Sequence, residues 1–185
     1  MKINGRTMVG VVGMGIVGLT TMSGCATDSA TGPLSATLSP SEYARIADSE
    51  CTGLPTKEQQ LGVLAYRDSI AGSQPLKEEY SVGKMKLTHE RGVQLAIRAQ
   101  PSMSVPWLER VATCHMALVR SNALAASDGD PQLVTGATVR VEETFTGYVV
   151  SIHVPDADSA AEVMRRTTVA MTAPSGPMTA ERTTH

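Results

Sequence analysis

Hydrophobic and polar residues alternate over residues 91–99, and this alternation predicts a half-buried β-strand. Its inward positions are Val93, Leu95, Ile97 and Ala99. The same alternation returns on both sides of a short polar loop from Thr144 to Gly147, where it predicts a β-hairpin. The inward positions of that hairpin are Val139, Val141, Tyr148, Val150, Ile152 and Val154. We therefore expect three strands of one antiparallel sheet in the second half of the chain.

A repeat of 3.6 residues predicts three amphipathic helices, each preceded by a residue that can cap its first turn. Ser39 opens the first helix, and Glu42 completes a capping box there. Ser104 opens a long second helix, and Asp156 opens the last one. The apolar faces hold Tyr43, Ile46, Ala47 and Cys51, then Trp107, Leu108, Val111, Cys114, His115, Leu118 and Asn122, then Ala160, Val163, Met164 and Thr167. Met116 is expected on the polar side of the second helix.

The stretch between the first helix and the first predicted strand gives weaker signals. It favours a short helix over residues 56–66 and one irregular strand within residues 76–82. From the first predicted strand onward the order is strand, helix, strand, strand, helix. This order predicts an α+β fold of the ferredoxin-like type (βαββα), an antiparallel sheet with helices on one face, plus an N-terminal helix. A fourth strand would come from residues 76–88 or from residues 168–173.

The composition argues against a nucleic-acid partner. The 185 residues include 16 Lys and Arg against 18 Asp and Glu, a formal net charge of −2, and only 3% are aromatic. A chain without a basic excess lacks the surface that neutralises phosphates, and few aromatic rings are left to stack on bases.

The N-terminus has the pattern of a secretory signal. Lys2 and Arg6 are followed by an uncharged, glycine-interrupted apolar stretch from Met8 to Met22. That stretch is short for a membrane span, and a basic start before a short apolar run is typical of an export signal.

The export signal ends in Met22-Ser23-Gly24-Cys25. This segment resembles the lipobox of bacterial lipoproteins. The resemblance implies cleavage before Cys25, a diacylglycerol thioether on its sulfur, and a further acyl chain such as palmitate on its amine. It also implies an outer-membrane anchor that faces the periplasm, because Ala26 stands where an aspartate would favour retention in the inner membrane.

These signals divide the chain into five segments. Residues 1–24 are the predicted lipoprotein signal peptide, and residues 25–38, rich in Ser, Thr, Ala and Gly, form a predicted flexible tether. Residues 39–90 form an N-terminal helical and irregular segment, and residues 91–171 form the α/β domain. Residues 172–185 are expected to be a disordered tail.

Cys51 and Cys114 are the candidate reactive residues of the exported domain. Both lie on apolar helical faces, and paired thiols in an oxidising compartment normally form a disulfide. Such a bond would close a loop of about 64 residues and contribute about 4 kcal/mol in the chain-entropy model. Two separate buried thiols, or a metal or redox site, remain as alternatives.

The neighbouring Cys114 and His115 suggest the metal alternative. With Cys51, Met103 or Met116 they would supply soft ligands for copper(I). Adjacent side chains on a helix diverge by about 100°, however, and a histidine on an apolar face is more often a hydrogen-bonded core residue. The sequence contains no Gly-x-Ser-x-Gly or His-Glu-x-x-His motif, so an enzyme is not expected.

A second resemblance covers residues 91–168. The pattern Trp-Leu-x-Arg-x-x-x-Cys-His-x-Ala, which begins at Trp107, looks like a helix in small uncharacterised lipoproteins and secreted proteins of Gram-negative bacteria. In these proteins that helix precedes a hairpin and a final helix. They often carry a Cys-Pro-Leu segment before the hairpin, where this chain has Asp130-Pro131-Gln132-Leu133. The resemblance implies architecture and location, and it carries no established activity.

The sequence thus predicts an outer-membrane lipoprotein that presents a small α/β domain on a short tether and binds an envelope partner without catalysis. Trp107, Arg110 and the exposed face of the sheet are the candidate contact surfaces, although Trp107 is more often a core residue in such a position. The alternative is a periplasmic copper-binding protein that uses Cys51, Cys114 and His115.

Overall fold

The computed structural model of the chain describes residues 38–173. Its elements are α1 (Pro40–Glu50), α2 (Thr56–Leu61), β1 (Ile70–Val82), β2 (Met85–Arg98), α3 (Val105–Arg120), β3 (Thr138–Thr144), β4 (Gly147–His153) and α4 (Ala157–Thr172). Two 3₁₀ helices lie at Gly62–Ser69 and Pro131–Leu133. The predicted signal peptide and nearly all of the predicted tether and tail lie outside the described residues.

The three predicted helices begin at the predicted caps. The Ser39 side chain accepts a hydrogen bond from the Glu42 backbone N–H, and the Glu42 carboxylate accepts one from the Ser39 backbone, which completes the capping box. Ser104 and Asp156 each accept a backbone N–H three residues further on, at the starts of α3 and α4. The three predicted helix starts are therefore confirmed. They could be predicted from the sequence because capping depends only on residues within one turn.

Four strands form one antiparallel sheet in the order β1-β2-β4-β3. The predicted α+β class is therefore confirmed, and so is the β3–β4 hairpin. The succession β2, α3, β3, β4, α4 follows the order predicted from residue 91 onward.

The first of the two candidate segments supplies the fourth strand, over a longer range than expected. β1 runs from Ile70 to Val82 and pairs along its length with β2, which begins at Met85. The other candidate, residues 168–173, continues α4 instead. The boundary expected after residue 90 therefore falls inside β2, within one long β-hairpin.

The core lies between one face of the sheet and α3 with α4. Its fully buried side chains include Val93, Leu95, Ile97, Leu108, Val150, Ile152 and Val163. A second side of α3 packs against α1, α2 and the first 3₁₀ helix. Met116 is buried with Leu108 and Ala112 in the core against the sheet, so its expected place on the polar side is wrong. Asn122, expected on the apolar face, lies beyond the end of α3 and is exposed.

The predicted helix over residues 56–66 is shorter than expected. α2 ends at Leu61, and a 3₁₀ helix continues the chain from Gly62. Gly62 has a φ of +56°, and a Cβ there would lie 2.5 Å from the Gln132 side chain, so a residue with a side chain does not fit at this junction.

The β1–β2 hairpin extends beyond the sheet. β4 pairs with β2 only from Gly92 to Arg98, and the β1–β2 register shifts after Leu76, where Arg91 is an extra residue in β2. We call residues 77–91, the part beyond this point, the arm. Side chains on both faces of the arm are largely exposed, so the arm stands clear of the body of the domain.

Candidate functional site

The structure joins Cys51 and Cys114 in a disulfide with an S–S distance of 2.08 Å. Cys51 is the residue that caps the C-terminal end of α1, and Cys114 is fully buried in the middle of α3. The bond links α1 covalently to α3, within an apolar cluster that includes Leu54 and Val111. Oxidised sulfurs that are bonded to each other offer no thiolate to a metal ion.

The His115 side chain is buried, and each of its two ring nitrogens lies within hydrogen-bond distance of an oxygen atom of the domain. Nδ1 is 3.0 Å from the carbonyl oxygen of Gln59, and Nε2 is 2.6 Å from Oδ2 of Asp130. Because a carbonyl oxygen only accepts, Nδ1 donates to Gln59, and the Asp130 carboxylate favours a second proton on Nε2. The two side chains are 3% and 4% exposed, so this is a buried imidazolium–carboxylate pair.

Two opposing effects set the pKa of His115. Burial lowers the pKa, because it penalises the charged imidazolium. The hydrogen bond and the negative charge of Asp130, with a smaller effect from the Gln59 carbonyl, outweigh burial and raise the pKa above its ordinary value. An imidazolium whose two nitrogens both donate within the fold has no nitrogen left to accept a proton from a substrate.

Asp130 and Gln132 complete this polar cluster, and the sequence reasoning missed both. Oδ1 of Asp130 accepts hydrogen bonds from the backbone N–H and from the side-chain amide of Gln132, at 2.8 and 3.3 Å. Gln132 is fully buried. The available signal was the Asp-Pro pair, in which the aspartate caps the short 3₁₀ helix that begins at Pro131.

Trp107 and Arg110, the two predicted contact residues, both make hydrogen bonds within the domain. The Trp107 indole N–H donates to the Tyr66 hydroxyl at 2.6 Å, and its ring packs against the cluster around the disulfide. Nε of Arg110 donates to the Glu50 carbonyl at 2.8 Å, and its Nη2 donates to the Thr52 carbonyl. Arg110 thereby satisfies carbonyls that the end of α1 leaves unpaired. Both side chains are half-buried, and their role as contact surfaces stays a prediction.

The described part of the chain contains no cluster of three or more His, Cys, Asp or Glu side chains arranged for a metal ion. The copper alternative would require reduction of the disulfide and release of His115 from Asp130. Between residues 38 and 173, no helix is both long enough and apolar enough to cross a membrane.

The face of the sheet away from α3 and α4 is a polar, open surface. The Gln74 amide donates to the Gln94 side chain at 3.0 Å, and the Gln94 amide donates to Ser151 Oγ at 3.3 Å, so a row of hydrogen bonds crosses three strands. Beside this row, Gly72 and Ala96 leave a shallow, open depression of about 250 Å³. A depression this open buries little of a small molecule, which distinguishes it from an enclosed ligand pocket.

The arm carries the main exposed apolar surface of the described residues. Tyr80 pairs with Leu87 and Val82 pairs with Met85, so these four side chains lie on one face of the ribbon, where they are 39% to 61% exposed. The Tyr80 ring stacks on His89 with its centroid 4.4 Å away.

The opposite face of the arm is polar, since Lys77, Glu79, Ser81, Lys86 and Glu90 alternate with the apolar positions. The exposed apolar side chains of the arm are therefore contiguous and confined to one face. Contiguous exposed apolar side chains mark a contact surface more often than scattered ones do.

No protein-family model matches the chain. A search of the curated proteins gave no match, and a search of the solved structures gave none either. The two family resemblances therefore stay predictions, and a function has to follow from the chain's own residues and surfaces.

Proposed function

We propose that this chain works by binding, not by catalysis, and that a lipid on Cys25 holds it at a bacterial envelope membrane. One observation carries the binding proposal: the reactive side chains serve the interior, whereas exposed apolar side chains are concentrated on the arm. Cys51, Cys114 and His115 are engaged with other groups of the fold. In this fold the two cysteines and the histidine are bonded within the domain, and an apolar ribbon is exposed to water. This arrangement is suited to docking.

The lipid anchor, the outer-membrane location and the periplasmic orientation are proposed from the sequence. Their support is the basic start, the short apolar run and the lipobox-like segment that ends in Cys25. Two or three acyl chains bind a membrane stably, whereas a single chain binds reversibly.

Metabolic labelling tests the anchor. The full chain is expressed in a Gram-negative bacterium with an alkyne analogue of palmitate, beside the Cys25→Ser variant. The wild-type chain is expected to take up the label and to fractionate with outer membranes, and the variant to do neither. An unlabelled wild-type chain in the soluble fraction would refute the anchor.

Photo-crosslinking in cells tests the docking role of the arm. A photoreactive amino acid replaces Met85 on the arm or, as the control, Val169 on α4, which is 45% exposed. We expect defined protein or lipid adducts from position 85 and none from position 169. Equal labelling at the two positions would mean that the arm is ordinary surface.

We also propose that the domain is a variant of the ferredoxin-like arrangement in which β1 takes the place of the last strand. In that arrangement the final strand of βαββαβ lies beside the first strand. Support comes from β1 beside β2, together with the succession β2, α3, β3, β4, α4. An experimental structure in which β1 is not paired with β2 would contradict it.

A further inference from the structure

We propose that the tip of the arm, residues 80–87, inserts into the surface of an anionic phospholipid membrane. The inference deepens the proposed function, on which it rests for the choice of the arm as the docking surface, and it does not require the lipid on Cys25. The apolar face of the tip would contact the headgroups and the outer acyl region of an anionic bilayer.

The first support is the apolar surface at the tip. Val82 and Met85 flank the turn and are 50% and 61% exposed, and Leu87 follows on the same face. The turn at Gly83 brings these side chains to the furthest point of the ribbon from the sheet. Apolar side chains at the end of a projecting hairpin can enter the acyl boundary while the domain stays in water.

The second support is the charge around those side chains. Lys84 and Lys86 lie at the tip, and residues 80–89 contain no Asp or Glu. Nζ of Lys86 lies 3.7 Å from a Glu79 carboxylate oxygen in a solvent-exposed ion pair, which is weak, so both lysines can meet anionic headgroups. Lysines next to apolar groups bind anionic headgroups, and their aliphatic stems lie along the apolar surface.

A second exposed apolar tip provides an internal comparison. Phe145, in the turn between β3 and β4, is 106% exposed, but Glu142 and Glu143 precede it. β4 pairs Gly147 with Arg98, at the other end of β2 from the arm, so the two tips lie at opposite ends of the sheet. An anionic surface attracts the tip with the lysines and repels the tip with the carboxylates.

The stacked rings of Tyr80 and His89 would lie at the depth of the lipid headgroups when the tip is inserted. Tyr80 is two residues from Val82, which is about 7 Å along a strand. Tyrosine is enriched at membrane interfaces because one end of its ring is apolar and the other is polar. Glu78 and Glu79 follow on the side of the body, and their charges limit the depth of insertion.

Two other occupants fit less well. Strand addition along the β1 edge is disfavoured by Pro75, which has no N–H to donate, by the adjacent register shift, and by Lys77 and Glu79. A second copy packed about a two-fold axis at the tip would bring Lys84 and Lys86 of both copies together, which is electrostatically unfavourable.

A local fluorescence probe tests the insertion. The protein begins at residue 26, so that neither the predicted signal peptide nor the lipid contributes, and it carries Met85→Trp or, as the matched control, Phe145→Trp. Each protein is mixed with vesicles of phosphatidylcholine alone or of phosphatidylcholine with phosphatidylglycerol, some containing brominated acyl chains. The native Trp107 is common to all proteins and provides a constant background.

The Met85→Trp probe is expected to shift to the blue and to be quenched by brominated chains only with phosphatidylglycerol, while the Phe145→Trp probe keeps its emission. Adding Lys84→Glu and Lys86→Glu should weaken the response at least thirtyfold, roughly what two surface lysines contribute.

Three results would overturn the proposal: a Met85→Trp probe that stays in water on bound protein, equal responses at both tips, or a blue shift without vesicles that grows with protein concentration. The last result would assign the arm to a second copy. Crosslinks from position 85 to protein in cells, combined with no vesicle response, would leave the proposed function intact and reject the lipid surface alone.

Discussion

The buried pair His115–Asp130 places a positive and a negative charge inside the domain, where each is stable only because of the other. Gln59 and Gln132 supply the remaining hydrogen bonds from two other segments of the chain. The pair thereby ties α3 to the end of α2 and to the loop before β3. The attraction between the two charges contributes to stability only as long as the histidine stays protonated.

Stability is therefore expected to fall as the pH rises above the ordinary histidine pKa of 6.5. The native state holds this proton more tightly than the unfolded chain, so the contribution is complete below pH 6.5 and is lost as the pH passes the raised pKa of His115. The slope reaches at most about 1.4 kcal/mol per pH unit. Urea unfolding between pH 6 and pH 9, followed by circular dichroism, measures it.

The His115→Gln variant should be less stable by about 3 kcal/mol at pH 6, because Asp130 loses its counter-charge, and should lose this slope. His153→Gln is the control: burial, and then the charge of Arg140, lower the pKa of His153, so its titration affects stability below pH 6.5. Parallel pH profiles for the wild type and His115→Gln would refute the ion pair.

The disulfide stabilises the domain by restricting the unfolded chain. Cys51 and Cys114 are 63 positions apart in the sequence, and a loop of that length corresponds to about 4 kcal/mol of chain entropy. We expect Cys51→Ser with Cys114→Ser to lower the free energy of unfolding by that amount. Trp107, the one tryptophan, reports unfolding from beside the bond. An unchanged urea midpoint would show that the bond contributes nothing.

At the scale of elements, Gly92 is the point where the arm leaves the sheet. Its φ is +139°, and a Cβ there would lie 1.8 Å from the Ile152 carbonyl oxygen of β4. The close approach of the two backbones is possible only without a side chain. Leu76 lies directly opposite, and the next pair is Lys77 with Glu90, so Arg91 is an extra residue of β2 at the point where the arm begins.

Gly92→Ala is therefore expected to cost at least about 3 kcal/mol, because the β2–β4 pairing has to open. Gly72→Ala is the matched control on the neighbouring strand: no atom lies within 4 Å of its Cβ position, and we expect a change within about 0.5 kcal/mol. Urea unfolding of both variants measures the difference. Equal effects would mean that the bend tolerates a side chain.

At the scale of the whole molecule, the domain combines a packed body with an arm that has no packing of its own. From Lys77 to Glu90 the arm is paired only across a two-stranded ribbon, whereas β2 from Val93 to Ile97 is paired with both β1 and β4 and places Val93, Leu95 and Ile97 in the core. Isolated hairpins are marginally stable in water, so the arm should open without unfolding the body.

Hydrogen exchange measures this difference. We expect amides of residues 78–90 to exchange at least about 100-fold faster than those of residues 93–97, because only the latter require opening of the core. Anionic vesicles should slow exchange in the arm alone. Uniform protection along β2 would contradict the division into body and arm.

The sequence by itself determined the features that depend on neighbouring residues. The caps at Ser39, Ser104 and Asp156 are hydrogen bonds within one helical turn, and the alternation in β2 and the β3–β4 hairpin is a property of each strand. The placement of Cys51 and Cys114 on apolar faces, together with the predicted export, was enough to suggest their pairing.

Only the tertiary structure decided what lies between distant segments. Asp130 and Gln59 reach His115 from 15 and 56 residues away, and no local pattern announces such partners. In the arm the alternation covers only two apolar positions in each strand, Tyr80 and Val82 and then Met85 and Leu87, and it does not show that this apolar face stays exposed. Met116 is buried because the core against the sheet also takes in this position of α3, which depends on how α3 packs and not on its periodicity.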